Sequence, residues 1–146
     1  MNLKQTLAAA STAILLAAAT VAVVPPAQAG EAAPVQIPAT SAAIWQALDQ
    51  QSAALTRIIQ TGAYAEVHHR AFAIRDLVAA LPARSGSLPA GKLAQLKTNA
   101  GYVATLAQRL DATGDAQDKM GTESNFRKLR QILRVIRADY PRAAGK

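Results

Sequence analysis

The chain has 146 residues with 16 Lys and Arg, 9 Asp and Glu, two His and no cysteine. The lack of thiols excludes disulfides, thiolate metal sites, covalently attached c-type haem, a cysteine nucleophile and a lipidated N-terminus. The charge is lodged at one end: residues 127–146 hold seven basic residues against Asp139 alone, whereas the eight basic and eight acidic residues of 30–126 cancel.

The opening stretch, MNLKQTLAAASTAILLAAATVAVVPPAQAG, reads as an export signal. Lys4 supplies the positive region, Leu7 to Val24 the apolar run, and Pro25 and Pro26 break it. Ala27-Gln28-Ala29 offers small residues at the two positions a signal peptidase inspects. Cleavage before Gly30 delivers residues 30–146 to the periplasm as one domain with no remaining transmembrane segment. An uncleaved anchor helix is the rival reading, but the apolar run is marginal for a span of ~20 residues. A basic stripe on an exported chain suits phosphate, lipid headgroups or an acidic protein, and DNA is not an expected partner.

Residues 30–39 (GEAAPVQIPA) contain Pro34 and Pro38 and no helical period, so they read as an extended leader. Thr40 and Ser41 are suitable N-cap residues for a first helical segment. Four segments then repeat one apolar rhythm with alternating spacings of three and four. The first carries Trp45, Leu48, Ser52, Leu55 and Ile59 and stops at Gly62, a C-cap residue. The second carries Tyr64, Val67, Ala71, Ile74, Val78 and Leu81 and stops at Pro82. A loop over 82–91 is the longest connection. The third carries Leu93, Leu96, Ala100, Val103, Ala107 and Leu110 and ends in ATGD, with Gly114 as the breaker. The fourth carries Phe126, Leu129, Leu133, Ile136 and Tyr140 and is stopped by Pro141. Its start is ambiguous: Asp115 and Asp118 favour an early first turn, Gly121 and Thr122 a later one. No strand pattern competes. The expected fold is all-α, an up-down-up-down antiparallel four-helix bundle over 40–141, followed by a basic tail over 142–146. A homodimer of two helical hairpins would use the same stripes.

Both histidines lie in the second segment, side by side in EVHHRAF. Consecutive helical residues point about 100° apart, so His68 and His69 cannot chelate one ion on a single face. His68 falls beside the core, between Tyr64 and Phe72 at spacings of four, and these three form a strip suited to a partner. Glu66 and His69 give Glu-x-x-His, the local pattern of di-iron bundles. Such centres need it twice with further inward glutamates, and here it occurs once and faces outward. Glu66 and His69 are left as a two-ligand surface pair for a weakly bound divalent metal, completed by another group or a second protomer. A solvated helix surface is the competing reading.

In the fourth segment Arg127, Arg130, Arg134 and Arg137 recur at three, four and three on a face adjoining the apolar stripe. The row reads as a docking surface for an acidic partner or anionic surface. Against this stands a solvated row whose stems cover the core edge and whose charges complement the helix dipole. No Gly-rich phosphate loop, Gly-x-Ser-x-Gly elbow or His-Glu-x-x-His occurs, so the chain reads as a non-enzyme.

The signal peptide, the four helices and the ending LRVIRADYPR together resemble the small exported b-type cytochrome bundles. In that family haem iron is held between a methionine on the first helix and a histidine near the end of the fourth. Matching LTRIIQTG to the end of the first helix puts Leu48 at the methionine position, and matching the terminal tyrosine to Tyr140 puts Arg137 at the histidine position. Both ligands are missing, so the resemblance implies the bundle without its axial haem site; haem held by His68 and Met120 would be an unusual arrangement that the spacing does not favour. The leading expectation is a periplasmic bundle that binds through Tyr64, His68, Phe72 and the arginine row. Weak metal handling by Glu66 and His69 is the second, and b-type haem the third.

Overall fold

Thr40 sets the start of the first helix. Its backbone is extended, and its Oγ1 accepts the Ala43 amide at 3.2 Å, which satisfies one of the unpaired donors of α1, Ser41–Thr61. Gly62 closes the helix in the left-handed region at φ 73°. There its own amide donates to the Ile59 carbonyl and that of Ala63 to Ile58. The structure, a computed structural model, describes residues 35–140. The expected signal peptide, the start of the leader and the basic tail lie outside the described residues. Within the leader, Val35 and Ile37 are half-buried and pack against the core.

The second segment is not one uniform helix. A 3-10 turn, Tyr64–Glu66, precedes α2, Val67–Ala80. A second 3-10 turn, Pro82–Arg84, opens the long connection to α3, Ala90–Asp115. Gly114 does not break α3 as its sequence context suggests. It lies buried inside the last turn, where an added Cβ would sit 3.1 Å from the Tyr64 carbonyl oxygen and 3.1 Å from Val67 Cβ. The glycine is there for close approach to the start of α2. The reversal falls at Gln117, which takes φ 54°. Its amide donates to the Gly114 carbonyl, and the Asp118 amide to that of Thr113, each at 2.9 Å.

Asp118 then starts α4, Lys119–Arg137, by accepting the Gly121 amide at 2.9 Å. Of the two starts open in the sequence, the earlier is the one adopted. Gly121 belongs to the first turn, and a Cβ on it would collide with the capping carboxylate. Among the described residues every regular element is helical, and no helix is long and apolar enough to cross a membrane.

Leu48, Leu55, Ile74, Leu77, Val103, Leu110 and Leu129 are among the buried centre of one core. Each expected stripe contributes, but the buried faces are wider than the stripes. Ile44 is added on α1, Ala73 and Leu77 on α2, Leu106 on α3, Thr122 and Asn125 on α4. For α2 the reason is direct: it packs against α1 on one side and α3 on the other, so two lines of side chains are covered. α3 likewise packs on both α2 and α4, whereas α1 and α4 meet much less extensively. A cleft opens along that looser seam.

Candidate functional site

The aromatic strip closes on itself. His68 Nδ1 lies 2.7 Å from Asp111 Oδ1 on α3; the carboxylate accepts, so the ring donates from Nδ1. The His68 ring meets Phe72 edge-on with centroids 4.6 Å apart. The Arg75 guanidinium caps Phe72 at 4.3 Å while its Nε donates to Asp76 at 2.7 Å. Phe72, off the apolar stripe by spacing, is half-buried against the core. Tyr64 is half-buried in the 3-10 turn. Of the three residues expected in the strip, His68 and Phe72 are in contact, and they are engaged by Asp111 and Arg75 respectively.

Glu66 is exposed in the turn before α2. Helical spacing points His69 outward, yet its ring is half-buried and its Nδ1 is shut from solvent without a hydrogen-bond partner. His69 heads the line His69, Ala73, Leu77, whose other two members are buried, so the wider covered face of α2 reaches it. No group of three or more His, Cys, Asp or Glu suited to a metal occurs among the described residues.

On α4, Arg127, Arg130 and Arg134 are exposed, and Arg137 is half-buried. Ser124, Lys128 and Gln131 join the first three around a shallow depression of about 500 Å³. None of its four cations takes part in an ion pair among the described residues, whereas Arg137 Nη1 approaches Asp49 Oδ2 at 4.0 Å. That separation is too long for a hydrogen bond. The Arg137 guanidinium instead stacks on the Trp45 ring at 4.6 Å, and Arg130 lies 5.8 Å from the Phe126 ring.

Where α1 and α4 meet loosely, an open cleft of about 180 Å³ lies between them. Leu48, Trp45 and Leu133 supply apolar surface, while Arg130, Arg134 and Arg137 contribute charge from α4. Leu48 and Arg137, the positions matched to the haem ligands, line this same cleft. Neither fits: a leucine offers no ligating atom, and a guanidinium is a cation with donors only. For the His68 and Met120 pair, the bond from His68 Nδ1 to Asp111 does not occupy Nε2, while Met120 is an exposed side chain in the first turn of α4.

Two features of the site were not legible as pairings. Trp45 and Tyr140 meet edge-on at 5.4 Å, which joins the start of α1 to the turn just beyond α4. Tyr140 also donates to Ser85 Oγ at 2.6 Å, because the Ser85 hydrogen is used on the Leu81 carbonyl at 2.7 Å. The indole and the terminal tyrosine both stand in their apolar stripes, but nothing in the spacing signals that they touch. No protein-family model matches the chain, and no curated protein or solved structure matches it.

Proposed function

We propose that the protein is a non-catalytic, exported binding protein of the periplasm that docks an acidic partner or anionic surface on the outer face of α4. The observation that carries this reading is the unpaired state of Arg127, Lys128, Arg130 and Arg134, four exposed cations on one helix with no carboxylate in ion-pair reach among the described residues. Such a face gives long-range attraction and a site for carboxylate or phosphate forks. The strip of Tyr64, His68 and Phe72 is the lesser contributor, since His68 is already bonded to Asp111 and Phe72 is capped by Arg75.

The reading takes the four helices as an up-down-up-down antiparallel bundle. Support comes from contacts between opposite ends of successive helices: His68 at the start of α2 with Asp111 near the end of α3, and Asn125 near the start of α4 with the Arg109 carbonyl on α3. Lys92 at the start of α3 pairs with Asp139 just beyond α4 at 2.8 Å. Metal handling by Glu66 and His69 gains no comparable support.

The test is capture of periplasmic components by immobilised protein comprising residues 30–146, wild type beside Arg130→Glu/Arg134→Glu. Loss of a captured species in the variant, with thermal stability preserved, is the expected result. Equal capture by both would assign the arginines to solvent.

A further inference from the structure

We propose that the cleft between α1 and α4 binds an amphiphilic anion, a carboxylate or phosphate head joined to a short apolar body. This goes beyond docking on the outer face of α4. It shares Arg130 and Arg134 with that face, but its own determinants are Arg137, Trp45 and Asp49.

Two side chains of the cleft carry donors without acceptors. Trp45 Nε1 and Arg137 Nη1 are both shut from solvent, and neither has a hydrogen-bond partner among the described residues. Buried donors left in this condition are costly, and both belong to side chains lining the cleft. Asp49, the nearest carboxylate, stands 4.0 Å from Arg137 Nη1 and is itself largely exposed, so it balances charge without making the bond. Arg130, Arg134 and Arg137 against Asp49 leave the cleft walls with a cationic excess. A ligand oxyanion supplies what Asp49 does not, and a guanidinium presents its donors as a fork suited to carboxylate or phosphate.

The floor and the size of the cleft define the apolar end. Leu48 and Leu133 are buried, and the Trp45 ring is fixed between Arg137 and Tyr140. An enclosed apolar cavity of ~150 Å³ accepts benzene; the cleft, open to solvent on one side, offers about 180 Å³, room for a short apolar body to lie against that floor. A bare inorganic anion would leave that floor uncovered. A neutral hydrocarbon would leave the arginines unmatched.

The chain's single tryptophan makes the test direct. Octanoate and octyl phosphate are titrated into protein comprising residues 30–146 while Trp45 emission is recorded, with octanol and inorganic phosphate in parallel. Saturable change with either amphiphile, and a much weaker response to octanol and phosphate, supports the site; the tighter amphiphile identifies the head group. Arg137→Gln weakens binding by about tenfold or more, because a charge-assisted fork is lost. Asp49→Asn strengthens it, because a competing carboxylate is removed. That gain is informative even if Arg137→Gln loosens the fold. Equal responses to octanol and octanoate, no saturation with either amphiphile, or an Asp49→Asn protein that binds more weakly would overturn the proposal. Arg127 lies outside the cleft, so Arg127→Glu impairs docking on the outer face and leaves the octanoate titration unchanged, which separates failure of one reading from failure of the other.

Discussion

The Arg137 guanidinium lies over the Trp45 ring at 4.6 Å, with Tyr140 edge-on to the same indole at 5.4 Å. Along the seam where α1 and α4 meet least, the indole thus takes a cation on its face and a second aromatic ring beside it, which ties α4 and the turn beyond it to α1. Arginine over indole is worth ~0.5–2 kcal/mol, depending on how far it is desolvated. Arg137 is half-buried, so Arg137→Ala is expected to cost about 1 kcal/mol and to move Trp45 emission to longer wavelength. Urea denaturation followed by fluorescence measures both. Arg137→Lys retains the charge without the planar stack and falls between the two.

Two glycines of α3 predict opposite outcomes for the same substitution. At Gly114 a Cβ would press on the Tyr64 carbonyl and Val67. Gly114→Ala is therefore expected to destabilise by ~1–3 kcal/mol, the usual range for overpacking. Gly101 stands exposed in the middle of the helix with nothing within 4 Å of an added Cβ. Gly101→Ala is expected to stabilise by ~0.5–1 kcal/mol through helix propensity and a less flexible unfolded chain. Thermal melts of the two variants beside wild type check the sign of each.

Burial pushes the Tyr140 phenol above its ordinary pKa of 10.0, and the neighbouring Asp139 charge adds to it. The folded chain therefore holds this proton to higher pH than the unfolded chain does. The stability involved is complete below the unfolded value and is lost as pH rises through the folded one. Melting temperature is expected to fall in alkaline solution above that ordinary value. In Tyr140→Phe the part of the fall owed to this residue disappears, at the cost of the bond to Ser85 at neutral pH. An unchanged alkaline slope in the variant would assign the loss to other groups.

The helices were legible because their signals are local. Thr40, Gly62, Pro82 and the 3.6-residue rhythm each act within a few residues, and each marks an element where it stands. Gly114 misleads for a physical reason: a glycine demanded by a neighbouring helix looks the same in sequence as one demanded by a turn, while Gln117, which bears the left-handed backbone, carries no such mark. His69 misleads similarly, since spacing along one helix cannot reveal that α2 is covered on two sides. The candidate site was half visible. The arginine row repeats along one helix and could be read directly, but Trp45, Asp49 and Arg137 come together only through packing of distant segments.

The proposed function rests on the cationic face of α4, and capture at two ionic strengths tests it most directly. Immobilised wild-type protein and Arg130→Glu/Arg134→Glu are exposed to periplasmic extract in low salt and again in high salt. Exposed charges are screened beyond ~10 Å at 0.1 M salt and ~3 Å at 1 M. The expected result is a species held by wild type in low salt, released in high salt, and never held by the variant. Capture that persists in high salt and survives the charge reversal would contradict it.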